Sequence, residues 1–127
     1  MKQYAPITVK AIMLNRTLSA GDASTSDAID LRDIVANGFF SLSARVIAGT
    51  ASTVGTTVFT YSGCATTSGK FITPSAAVAI GTCGTASTSN IMTFEPELMA
   101  FMKIIATQTG TGTAGKDSVV SAELIVQ

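Results

Sequence analysis

From Phe39 to Ala48 apolar and polar side chains alternate: Phe40, Leu42, Ala44, Val46 and Ala48 against Ser41, Ser43 and Arg45. A period of two puts each set on its own face of a strand. One apolar face opposite a polar one predicts an antiparallel sheet with a single buried side. The same period runs through Ser118–Val126, where Val120, Ala122, Leu124 and Val126 share a face, and through Val58–Ser62, where Phe59 and Tyr61 oppose Val58 and Thr60. In Ile7–Leu14 it sets Ile7, Val9, Ala11 and Met13 against Thr8, Lys10 and Ile12, with a break at Asn15-Arg16-Thr17. Shorter strands are predicted at Ala28–Leu31, at Phe71–Thr73 with Pro74 ending it or holding it at an edge, at Ala76–Ile80 and at Ile91–Phe94. Leu98–Thr107 predicts a helical turn feeding a strand, because Ile104, Ile105 and Thr107 are β-branched.

Turn chemistry separates these segments. Asn37-Gly38 is a strong turn dipeptide, Glu95-Pro96-Glu97 makes a corner, and Leu18–Ser26, Gly49–Gly55, Gly63–Gly69, Gly81–Asn90 and Thr109–Gly115 read as loops. About eight short strands with no βαβ period predict an all-β chain, a single antiparallel β-sandwich or barrel. A jelly roll and an immunoglobulin-like Greek key both satisfy the pattern. Residues 7–127 form one domain with Phe40, Leu42, Val46, Phe59, Leu124 and Val126 in one core. Residues 1–6 precede it as an N-terminal arm.

Composition sharpens this reading. Ser and Thr number 32 of 127 residues, and charged residues make up only 13%, where about 25% is usual. With a mean hydropathy of +0.44 the chain is too apolar to be disordered. Lys+Arg and Asp+Glu number 8 each, for a net charge of zero. Nucleic acid is therefore not expected as a partner, since phosphate neutralisation needs a basic excess. No run of 18 apolar residues exists to span a membrane, and no targeting segment is expected in the opening residues. There is no His, which removes the commonest general base and the usual zinc ligand sets. A neutral, charge-poor surface also suits a chain that works inside an assembly.

Candidate chemistry is thin. Gly110–Lys116 has P-loop spacing, but Asp117 stands where Ser or Thr should meet Mg²⁺, and a strand follows where a helix is required, so it reads as a hairpin loop. Asp22, Asp27, Asp30 and Asp33 lack EF-hand spacing and read as turn residues with Arg32 as an ion-pair partner. Glu95 and Glu97 read as a polar corner rather than a catalytic pair. Cys64 and Cys83 are either a disulfide closing a loop or two buried thiols, and without His they are not a catalytic nucleophile. Met13, Met92, Met99 and Met102 with Phe94 and Phe101 pack a core or form an adaptable contact surface, and core packing is the stronger reading. No catalytic, cofactor-binding or metal residue is assigned, and no enzyme is expected. Met1, Lys2, Gln3, Tyr4, Ala5 and Pro6 read as a contact arm, since Pro6 resists helix and Tyr4 offers an aromatic anchor.

The order of segments carries a resemblance: DAIDL at Asp27–Leu31, GFFSLSARV at Gly38–Val46, VFTYSG at Val58–Gly63, FITP at Phe71–Pro74, FEPELMAFMKIIATQTG at Phe94–Gly110 and VSAELIVQ at Val120–Gln127. In this it resembles small all-β virion proteins of tailed bacteriophages, among them capsid decoration, or cement, proteins. The resemblance implies a non-enzymatic structural role on the capsid surface of the virion, after synthesis in the host cytoplasm. It implies many copies bound to the major capsid protein and to each other, as a trimer or other homo-oligomer. The alternatives are a tail, neck or fibre component, or a small carbohydrate- or surface-binding module.

Overall fold

The structure is a computed structural model that describes residues 7–19, 21–32, 34, 38–48, 56–66, 68–74, 79–84, 88–97, 99–110 and 118–127. Nine strands and no helix lie within them: β1 (Thr8–Leu18), β2 (Ala23–Thr25), β3 (Ile29–Asp30), β4 (Phe40–Ala48), β5 (Thr57–Cys64), β6 (Gly81–Cys83), β7 (Thr88–Phe94), β8 (Phe101–Gln108) and β9 (Ser118–Val126). They form two antiparallel sheets. Sheet one has the order β1-β9-β4-β7 and sheet two the order β2-β8-β5-β6, with β3 also on β8.

The pairing is nested. Because β2 and β3 both pair with β8, they act as one interrupted strand. The first strand then pairs with the last (β1 with β9), the second with the next to last, β4 with β7 and β5 with β6. The chain is one long antiparallel ribbon wound so that successive pairs fall in alternate sheets. This is a jelly roll. An immunoglobulin-like Greek key groups its strands differently, so of the two topologies open to the sequence the first is formed.

The core lies between the sheets. Leu42 and Val46 of β4 and Val120 and Leu124 of β9 meet Phe59 of β5 and Met102 and Ile104 of β8, all fully buried. Val126 is buried with them, and Phe40 packs against the cluster from one end. The alternation read in β4, β5 and β9 therefore has the predicted register. Met13, Met92 and Met102 are core residues, and Met99 packs against the core. Two polar side chains tie strands across gaps in the ladders. Gln108 Nε2 donates to the Leu18 carbonyl at 2.8 Å and to Ser118 Oγ at 3.1 Å. Ser26 Oγ accepts from the Ile104 amide at 2.9 Å, continuing β2 where its own pairing stops.

Several local expectations are corrected. β1 runs through Asn15-Arg16-Thr17 instead of stopping there, because two register shifts against β9 absorb the extra residues and Asn15 takes φ +48°. Asn tolerates that left-handed conformation. The shifts leave Ile7, Val9 and Ala11 exposed and bury Met13 and Leu18. Ala23–Thr25 is a strand inside an expected loop, held by β8. Phe71–Thr73 is not a strand. Ile72 makes a single bridge to Gly63. Gly81–Asn90 is not all loop, since β6 and the start of β7 occupy it. Cys83 is buried, and β6 adds to β5 through backbone pairing that needs no particular side chains. β8 starts at Phe101 with no helical turn at Met99 or Ala100. The arm Met1–Pro6, Asp33, Asn37, Gly49–Gly55, Ala76–Val78, Leu98 and the P-loop-like residues 111–117 lie outside the described residues.

Candidate interaction surfaces

One end of the sandwich is where β4 begins, β9 and β7 finish, β5 finishes and β8 begins. A groove of about 980 Å³ opens there beside sheet two, floored by Leu31, Gly63, Ile72 and Met99. Leu31, Glu97 and Met99 also line a hollow of about 420 Å³ next to it. That hollow shares Gly38, Phe40 and Glu95 with a third hollow, against sheet one. The three make a continuous trough across the end of the molecule. It is apolar and open: Phe39 is 67% exposed and Ile72 65%, and Ile7, 62% exposed, precedes β1 at the same end of the sandwich. Gly63 keeps the floor low, because a methyl group there would overlap the Met99 side chain.

Charges at this end are held by neighbours. Asp30 takes two bonds from the Arg32 guanidinium, at 3.0 and 2.8 Å, and another from the Arg32 amide. Arg32 thereby lowers the Asp30 carboxyl to about 2. Arg32 also lies over the Phe101 ring at 4.7 Å, and Lys103 over the Phe71 ring at 4.4 Å. Tyr61 donates from its hydroxyl to Glu97 Oε2 at 2.6 Å. Burial first, and the Glu97 carboxylate second, push the Tyr61 phenol up to about 12. The same bond holds Glu97 below its usual range.

The second surface is the outward face of sheet one. Register puts Val9, Ile125, Ser41 and Thr93 in one row, Ala11, Glu123, Ser43 and Ile91 in the next, then Ser121, Arg45 and Ser89, then Thr17, Val119 and Ile47. Arg45 and Glu123 are the charged members of these four rows. A hollow of about 330 Å³ between them is walled by Ala11, Leu14, Ser43 and Ser121. The bulge at Asn15, whose amide bonds Ser121 Oγ at 3.0 Å, turns Leu14 outward to 77% exposure.

The residues singled out by sequence are placed as follows. Asp30 and Arg32 form the expected ion pair, while Asp22 and Asp27 are exposed and apart from it. Glu97 is engaged by Tyr61 at the corner. Cys64 and Cys83 are free buried thiols. Cys83 pairs with Thr57 at the start of β5, so Cys64, at the strand's other end, is roughly 23 Å away at the usual rise per residue. That is far beyond disulfide reach, and burial raises the Cys83 thiol. The structure does not bring the two together. Among the described residues no three metal-ligating side chains gather. Sequence reading missed the trough and the Leu14 projection, because both depend on elements far apart in the chain and on a bulge that inverts the face.

No family model matches the sequence, and no curated protein matches it. The fold matches chains in structures of infectious bursal disease virus. A chain of the Gx strain aligns with a TM-score of 0.57 at 13% identity, over 97% of this chain and 32% of that one. A chain of the Gt strain aligns with a TM-score of 0.53 at 14% identity, over 94% and 32%. This chain thus spans about a third of the length of those chains, and shares with them a β-sandwich fold found in a virus.

Proposed function

We propose that this protein is a non-enzymatic structural component of a virion, and that it decorates a tailed-bacteriophage capsid by binding the major capsid protein in many copies. The observation that carries the reading is the match of almost the whole jelly roll to chains from virus structures. Jelly rolls serve both capsids and lectins, so the surface has to decide between them. A sugar site needs open aromatic faces for stacking. Here Arg32 lies over Phe101 and Lys103 over Phe71, which leaves Phe39 as the exposed aromatic ring among the described residues, and one ring set among aliphatic side chains fits a protein contact better than a sugar platform. The trough end suits a protein partner instead, with Phe39, Ile72 and Ile7 as apolar anchors within a rim of Glu95, Glu97, Arg32 and Lys70. The arm Met1–Pro6 joins the domain at Ile7, on this same end, and extends the contact.

Quantitative mass spectrometry of purified particles tests the proposal. Hundreds of copies per particle are expected. A dozen or fewer would assign a neck, tail or fibre position, and absence from particles would remove the virion role.

A further inference from the structure

We propose that the outward face of sheet one is a two-fold homodimer interface, in which Arg45 of each copy meets Glu123 of the other. The inference rests on this face alone and is independent of the virion reading. In the register, Ser43 lies beside Glu123 and Arg45 beside Ser121. Arg45 and Glu123 therefore occupy one diagonal of a four-residue cell and the two serines the other. A two-fold axis lying in the face, crossing the Arg45–Glu123 line at right angles at its midpoint, carries Arg45 onto Glu123 and passes close to both serines. One operation creates two identical ion pairs and leaves small hydroxyl side chains at the axis. Such self-complementarity is what an isologous contact requires. The same patch also holds a projecting apolar side chain, Leu14, which walls a hollow together with Ala11, Ser43 and Ser121. Around it stand Val9, Ile47 and Ile91, all exposed. Among the described residues neither Arg45 nor Glu123 is in a salt bridge, so each is available to the second copy.

Four strands at the usual spacing, with about eight residues of strand length, give a face of roughly 20 by 25 Å, or about 500 Å² per copy. That is at the low end of specific interfaces, so the dimer is weak and concentration-dependent.

Sedimentation equilibrium of the purified protein from about 1 μM to about 1 mM tests this. Wild type is expected to move from 13.0 kDa toward twice that mass. Arg45→Glu and Glu123→Arg should each weaken association by at least about tenfold through like-charge contacts. The double variant should restore it, because the swapped charges again face their opposites. Leu14→Asp should weaken association as well. Thermal melts unchanged from wild type show that the fold survives in each variant. A wild type that stays monomeric to the top concentration, or closes as a trimer, overturns the inference. Single variants that associate like wild type, or a folded double variant no better than the singles, overturn it too.

Discussion

Tyr61 has its ring between Phe94 and the core, with ring centroids 5.6 Å apart, and its hydroxyl on Glu97 at the trough. Its proton is therefore favoured by the fold. The phenol titrates at about 12 instead of 10.0, so the stability it contributes is complete below pH 10 and is lost as pH rises toward 12. Tyr61→Phe should flatten the alkaline fall of the melting temperature across that window relative to wild type. Parallel alkaline limbs for the two proteins would show that the phenol is neither buried nor held by Glu97 as described. The register of β4 gives a second single-residue test. Leu42 is fully buried, while Ser43, the next residue, faces outward. Leu42→Ala or Leu124→Ala should lower stability by about 2–5 kcal/mol through lost burial and a residual cavity. Ser43→Ala should change it by no more than about 0.5 kcal/mol. Denaturant melts of the three variants measure the contrast, and a reversed order would mean a strand shifted by one residue.

At the scale of elements, β1 passes its second register shift by taking Asn15 into φ +48° and bonding it to Ser121. A β-branched residue is strained in that conformation. Asn15→Val should lower stability by about 1–3 kcal/mol, and Asn15→Gly by less, since glycine tolerates the conformation and keeps the amide bond to Ser121 Oγ, losing only the Oδ1 contact. Equal losses in chemical denaturation would place the whole effect in the side-chain bonds. The bulge also marks the boundary of what the sequence discloses. β4, β5 and β9 were legible because each has neighbours on both sides and one apolar face, so burial and period agree. β1 was legible as a strand but not in its facing, because a bulge leaves no signature stronger than an Asn that also reads as a turn. β6 has three residues, Gly-Thr-Cys, and owes its existence to β5 and not to its own propensities. The trough was legible only as the Glu95-Pro96-Glu97 corner. Its floor joins Leu31, Gly63, Ile72 and Met99, which no local pattern connects. The nested pairing that separates a jelly roll from a Greek key is likewise a property of which strands meet, and strand patterns do not encode partners.

At the scale of the whole molecule, the proposed capsid role and the proposed two-fold contact both rely on weak contacts made many times. On a shell that repeats its binding sites, linking neighbouring copies can raise avidity by about 10²–10⁴ without any new contact. A protein that binds the assembled lattice and not its free subunits then stabilises the lattice by linkage. Particles lacking this protein should therefore assemble yet release DNA at a lower temperature than decorated ones, and adding the purified protein back should restore the difference. The end of the sandwich supplies the variants. Phe39→Ser and Ile72→Ser alter exposed side chains, so each should leave stability within about 0.5 kcal/mol of wild type while weakening attachment to particles. Removal of Met1–Ala5 should do the same. Attachment is read by co-sedimentation with undecorated particles, and particle robustness by dye uptake on heating. If the folded end variants bind as tightly as wild type, the trough is not the docking site. If particles without the protein are as robust as those with it, capsid stabilisation is not its task, and a tail, neck or fibre position becomes the better account of the fold.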